Sequence, residues 1–315
     1  MVEVRGASML VVGSVARDTI HNHLGTHEYV LGGSATFAAL AGSMFAPVRL
    51  VGVVGRDFPD DKVQLLRDRG IDVRGLEVVD GKTFFWEGRY SPDLTSRESL
   101  KTELGVFASF HPKIPADQRQ TPYVMLGNID PELQVEVLDQ IREPKLVIAD
   151  TMNFWISGKP AELAKMLKRI DLLVINEEES RQLAGVHNIA KAARELLAMG
   201  PRIVVIKRGE YGALLFDGES VFSAPAYPVE DVLDPTGAGD TFAGGLLGHL
   251  AQQDRVDATT LRRAVIYGSV LASFCVEGIS VDRLVRVTQP EIADRYGAFA
   301  RLAHFASDSE IGALA

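Results

Sequence analysis

Short apolar runs alternate along the chain with longer stretches whose apolar positions recur at helical spacing. Met9 to Val12, Val48 to Val54, Tyr123 to Leu126, Leu146 to Ala149, Leu172 to Ile175 and Ile203 to Ile206 carry almost no polar position. A strand that is apolar on both faces must be covered on both faces, so these runs predict buried strands of a parallel sheet. Helical patterns fall between them, at Ser34 to Phe45, Asp60 to Arg69, Pro131 to Ile141, Ala161 to Lys168 and Ile189 to Met199. This alternation predicts an α/β fold with a mainly parallel sheet flanked by helices.

Two regions break the rhythm. Val73 to Phe110 is rich in aromatics (Phe84, Phe85, Trp86, Tyr90, Phe107 and Phe110), and Asp80-Gly81 within it is a two-residue hairpin signal. It predicts a small antiparallel β insertion. Ala213 to Phe216 and Ser220 to Phe222 flank Asp217-Gly218-Glu219 and predict a second hairpin. From Ala238 onward the chain reads as mostly helical. With no internal repeat and no linker, the expected organisation is one domain over residues 1–315, with a β-sheet lid from about 14–31 and 73–110.

The formal charge of −9 disfavours binding to nucleic acid or to an anionic membrane. No apolar run reaches the roughly 18 residues that span a bilayer. No basic stretch followed by an apolar run precedes the first strand. Cys275 is the one cysteine, so an internal disulfide is impossible. A cytoplasmic protein is expected.

The densest chemistry lies in Asp234-Pro235-Thr236-Gly237-Ala238-Gly239-Asp240. This polar turn runs directly into a helical pattern, Ala238 to Leu250. Glycines without Cβ let a phosphate approach the backbone, and free N–H groups at a helix start favour negative charge. Gly237, Ala238 and Gly239 therefore predict an anion hole. Asp240, on the first turn, is placed to take a proton from an attacking hydroxyl. Asn176 and Glu179 lie where a strand gives way to a helix, as an N-cap and first-turn acid would. His21, His23 and His27 lack the partner spacing of a metal site and fit a hairpin.

The string resembles the signature of the ribokinase, or PfkB-type, carbohydrate kinases, and the resemblance extends over nearly the whole chain. It implies a ribokinase-like fold with a small β lid and an ATP-dependent phosphotransferase acting on a hydroxyl of a small sugar, polyol or nucleoside. It assigns the catalytic base to Asp240 and the anion hole to Gly237, Ala238 and Gly239. Asp18, Gly32, Gly33, Thr36 and Asn153 would meet the acceptor. Asn176, Glu179, Lys207 and Gly209 would serve ATP and Mg2+. Asp234 and Thr236, with the loop from Ser273 to Ser280, would hold potassium. The implied assembly is a monomer or homodimer.

The chain departs from that family in two places. Thr36-Phe37 stands where an asparagine often follows the paired glycines, which disfavours simple ribose or fructose. Phe154-Trp155 follows Asp150-Thr151-Met152-Asn153 where a basic residue is common, which disfavours a phosphosugar. The aromatic lid points instead to a nucleoside or cyclic polyol. No Gly-x-x-x-x-Gly-Lys-Ser/Thr, Gly-x-Gly-x-x-Gly after the first strand, or Gly-x-Ser-x-Gly is present. The competing reading, a catalytically silent sensor or scaffold, would be expected to lose Asp240 or a neighbouring glycine, and both are intact.

Overall fold

Thirteen strands form in the computed structural model, which describes residues 6–94, 96–218 and 220–304. In chain order they are β1 (Met9–Val12), β2 (Ala16–Asn22), β3 (Gly25–Gly32), β4 (Val48–Gly55), β5 (Asp72–Val79), β6 (Phe84–Tyr90) and β7 (Arg97–Glu103). β8 (Tyr123–Leu126), β9 (Leu146–Ala149), β10 (Leu172–Asn176), β11 (Ile203–Lys207), β12 (Ala213–Phe216) and β13 (Val221–Ala224) follow. The apolar runs build one nine-stranded sheet, ordered β13-β12-β11-β10-β9-β8-β1-β4-β5. Every pair from β11 to β5 is parallel; the pairs β11/β12 and β12/β13 are antiparallel.

The two-sided burial expected of such strands is present. Met9, Val11, Met125, Ile148, Val174 and Val205 enter one core cluster, while Leu10, Val12, Val124, Val147, Leu173 and Val204 enter another on the opposite face. The first core includes the helix Ser34–Gly42, buried along its whole length, and the helix Ala238–Gln253. These two pack at backbone distance. A Cβ on Gly244 would lie 2.2 Å from the Ala38 carbonyl, and one on Gly248 2.9 Å from Gly42 Cα. The small-residue pattern of both helices thus permits a close approach that seats the start of Ala238–Gln253 over the sheet.

The chain leaves β1 towards β4 and β5, and later returns towards β8 and β9. Neighbouring loops at β1 and β8 therefore diverge at the carboxyl ends of the strands, the usual place for a ligand crevice in an open parallel sheet. A second sheet, ordered β3-β2-β6-β7, stands at that end. Within it β2 pairs antiparallel with β3 but parallel with β6, and β6 pairs antiparallel with β7.

The lid boundaries need correction. Val73 to Val79 is not part of the lid and forms no hairpin with the next strand. It lies in β5, parallel to β4 at the edge of the main sheet. Asp80-Gly81 is a turn between two sheets, and the insertion is not purely antiparallel. The β12/β13 hairpin forms as expected; of its turn, Glu219 lies outside the described residues. His21 and His27 lie in the β2/β3 hairpin, where His21 bonds Thr26 and Glu87. Among the described residues no helix is long and apolar enough to cross a membrane.

Candidate active site

Gly237 takes a left-handed φ of 74° and caps the helix Ala238–Gln253 with backbone alone. A Cβ there would sit 2.4 Å from the ring of Phe37, so both conformation and space call for glycine. No side chain caps this helix. Its first N–H groups face the crevice end of the sheet, an arrangement that attracts anions. Asp240 is the acid of the first turn. Burial pushes its carboxyl up to about 7, and Asp150 pushes the same way, while Lys207 and Arg97 oppose them.

Lys207 ends β11 and projects towards that helix start. Its Nζ lies 2.8 Å from where a Cβ on Gly239 would be, and 3.0 Å from Asp150 Oδ2. Asp150 directly follows β9 and is 6% exposed. Burial works against the Lys207 ammonium, but Asp150, Glu179 and Asp240 outweigh it and hold its pKa above the ordinary lysine value. Asn176, at the end of β10, is a neighbour of Lys207 in register. Its side chain accepts from the Glu179 N–H at 2.8 Å, and the Glu179 carboxylate accepts from the Asn176 N–H at 3.1 Å. This capping box holds Glu179 beside Lys207. Burial, then the charge of Asp150, pushes Glu179 up to about 7. Gly209 begins the turn after β11 with a left-handed φ of 56°. Arg208 ties that turn to Glu177 at 2.8 Å.

Asp18 faces the same space from β2. It is 5% exposed and has no ion-pair or hydrogen-bond partner among the described residues. Burial pushes its carboxyl up to about 8, with Asp234 and Asp240 adding to the rise and Arg97 opposing it. Gly32 makes room for it, since a Cβ there would lie 2.0 Å from Asp18 Oδ2. Gly33, with φ 95°, brings β3 against the Ser14 carbonyl and opens the helix Ser34–Gly42. Thr36, expected at the acceptor, is not placed there. It is fully buried, and its hydroxyl donates to the Gly32 carbonyl at 2.7 Å. Thr36 locks the glycine pair in position. Asn153 opens the short helix Asn153–Gly158 and is half-buried, three residues beyond Asp150.

The lid reaches the glycine string directly. Tyr90 OH lies 2.9 Å from Thr236 Oγ1, and Asn22 Nδ2 donates to the Leu233 carbonyl at 2.9 Å. Asp234 accepts from the N–H groups of Thr236 at 2.9 Å and Ser280 at 2.8 Å. Burial pushes the Asp234 carboxyl up against these bonds. Cys275 packs below, its thiol pushed up to about 12 by burial.

The pfkB family carbohydrate kinase pattern matches residues 123–284. The cytidine kinase of Thermococcus kodakarensis is 32% identical over 249 residues, covering 76% of this chain and 87% of that protein. The chain belongs to the pfkB family of carbohydrate kinases. Two solved structures share the fold. An Escherichia coli protein described as a ribokinase II, in complex with ATP and Mg2+, superposes with a TM-score of 0.77 at 18% identity, over 93% of this chain and 99% of that one. The aminoimidazole riboside kinase of Salmonella enterica, solved with its riboside and an ATP analogue, gives 0.71 at 21% identity over 93% and 99%.

In this pfkB kinase several site residues escaped the motif reading. Asp150 appeared only as part of a segment, and its ion pair with Lys207 joins residues 57 apart. Arg97, on β7, lies opposite Tyr90 in register, with its guanidinium 5.2 Å from the Trp86 ring centroid. Trp86 is the register neighbour of Asp18, so both occupy one face of the lid. The other aromatics pack elsewhere. Phe84, Phe107 and Phe110 stack on one another, and Phe85 meets Tyr29.

Proposed function

We propose that this kinase transfers the γ-phosphoryl group of ATP to a hydroxyl of a small acceptor held between lid and sheet. The observation that carries the reading is the pair of acids across the crevice. Asp18, on the lid, and Asp240, at the head of the helix, lie close enough that the charge of Asp240 adds to the cost of ionising Asp18. Asp18 would hold acceptor hydroxyls, and Asp240 would take the proton of the attacking one. The new O–P bond forms as the bridging bond to ADP breaks, with charge spread onto the N–H groups of Gly237 to Gly239. Closure of the lid, through Tyr90 on Thr236, excludes water from that transfer. Asn153 lies at the same end of the sheet and is assigned to the acceptor. Gly209 is assigned to the nucleotide side.

The relatives' complexes with ATP, an ATP analogue and Mg2+ support the nucleotide assignment. Among the described residues no three acids come together as a direct metal site, so a divalent cation would be held through water and phosphate, drawn by Asp150, Glu179 and Asp240, which outnumber the one ammonium they surround. Glu179 and Asn176 would hold Mg2+ through water. Bound there, it would neutralise phosphate charge. The cytidine and aminoimidazole riboside kinases, with Trp86 beside Asp18, favour an acceptor bearing a flat base. The test is acceptor-dependent ADP formation over nucleosides, inositols, ribose-like sugars and sugar acids. Background turnover on every class would overturn the proposal.

Two further results are expected. Asp240 works as a base only when ionised, and its carboxyl is raised by burial. kcat/KM should therefore rise with pH through an acid limb near 7, well above the ordinary carboxylate range. A flat profile from pH 5 to 8 would contradict it. Asp234 is a buried acid that accepts from the backbone N–H groups of Thr236 and Ser280, a setting that a potassium ion would stabilise. Potassium should raise turnover several-fold over potassium-free buffer of equal ionic strength. Equal rates would remove the cation from the scheme.

A further inference from the structure

The ion pair at the head of the helix Ala238–Gln253 goes beyond a nucleotide contact. Lys207 Nζ comes within 2.8 Å of the place a Cβ on Gly239 would take, so the missing Cβ lets it sit beside the backbone of the anion hole. Only 16% of its side chain is exposed, and that of Asp150 only 8%. Burying two charges is costly, and a pair of apolar residues of similar size is often as stable or more so. The pair therefore calls for a role other than stability.

The backbone supplies only the fixed orientation. Lys207 ends β11, next to the helix-capping Asn176, and Asp150 directly follows β9, two strands away in the sheet order. Asp150 has a fixed seat, since its backbone N–H donates to the Leu126 carbonyl at 3.0 Å and its own Oδ1 accepts from the Thr151 N–H at 2.8 Å. One oxygen is thus turned to its own backbone and the other to the ammonium. A lysine end has three donors and one remains directed by Asp150, leaving others for a ligand at the helix start.

We propose that Lys207 is a catalytic residue of this kinase, donating to the non-bridging oxygens of the phosphoryl group in transit, and that Asp150 is the positioning residue that aims it. The proposal rests on the kinase reading above. In the transfer itself the acceptor oxygen bonds to phosphorus, the bond to ADP breaks, and the acceptor proton passes to Asp240. Lys207 forms and breaks no covalent bond. Gly239 acquires a second role: its missing Cβ admits the lysine as well as the phosphate.

Calorimetric binding of two probes tests this without knowledge of the acceptor: Mg·ADP, and Mg·ADP with aluminium fluoride, which mimics the phosphoryl group in flight. A group that acts on the transferring phosphoryl discriminates between them. Lys207→Met should weaken the aluminium fluoride complex by about 10²-fold while leaving Mg·ADP within about 3-fold. Asp150→Asn should weaken the aluminium fluoride complex by about 10-fold. The double variant should be no worse than Lys207→Met, because Asp150 acts through the lysine. It also removes both buried charges, so it keeps the test open if the single lysine variant misfolds.

Equal losses for both probes would make Lys207 a nucleotide anchor and overturn the proposal. So would a double variant whose loss is the product of the two single losses. Failure of the unaltered protein to bind Mg·ADP is a different result: it would overturn the nucleotide site, and the proposal with it.

Discussion

Asp240→Asn should lower turnover by about 10²–10⁴-fold while leaving Mg·ADP affinity nearly unchanged. Asparagine keeps the shape of the carboxyl but cannot accept the hydroxyl proton. The folded state should tolerate it well. The wild-type carboxyl is already driven towards its neutral form by burial, so the amide resembles the species that dominates at acid pH. The helix loses only a first-turn acid, a contribution of about 0.3–1 kcal/mol. A second signature separates base chemistry from simple damage. Wild-type turnover should climb through the acid limb near 7, whereas the residual turnover of the variant should not follow that limb. Steady-state ADP release across pH, with calorimetry on the same preparations, measures both. Near-normal turnover would sink the assignment.

Legibility followed the range of the interactions. The main sheet was readable because each central strand carries its own evidence: Leu10, Val124 and Val204 face one way and their neighbours the other, all in apolar surroundings. The glycine string was readable because turn, helix start and acid are contiguous. Asp80-Gly81 misled for a physical reason. The turn chemistry is genuine, but β5 pairs with β4 and β6 with β2, partners that no local pattern reveals. Thr36 misled because proximity to Gly32-Gly33 does not say which face of a wholly buried helix a side chain occupies. The segment after Asp150 lacks a basic residue in sequence, yet the fold supplies one to Asp150 itself from β11. Tyr90 and Arg97 meet the site only because the lid folds over it. Of six aromatics in the insertion, Phe84, Phe107 and Phe110 stack on one another, while Trp86 neighbours Asp18 in register and Tyr90 meets the string at Thr236.

Asp18→Asn should remove function and raise stability together. The carboxyl is buried without a partner among the described residues, and burial followed by the like charges of Asp234 and Asp240 drives it up to about 8. The folded state therefore binds a proton at Asp18 that the unfolded chain releases near pH 4. Between about pH 4 and 8 the native protein holds more protons than the denatured one, so this residue makes stability fall as pH rises through that window. One pKa unit corresponds to about 1.4 kcal/mol, so even part of this displacement amounts to a few kcal/mol. Each kcal/mol is worth about 2–4 °C in a protein of about 150–250 residues, and somewhat less in this longer chain. The asparagine variant should thus melt several degrees higher at pH 8, and the margin should shrink to nothing below about pH 4. At the same time its kcat/KM for the acceptor should fall by about 10²-fold or more, because the amide replaces one carboxyl oxygen with an NH2 group that cannot accept from an acceptor hydroxyl. A purely structural Asp18 predicts the opposite sign, a lower melting temperature at pH 8. The two measurements together decide whether the unpartnered acid behind Gly32 is kept for the acceptor or for the fold.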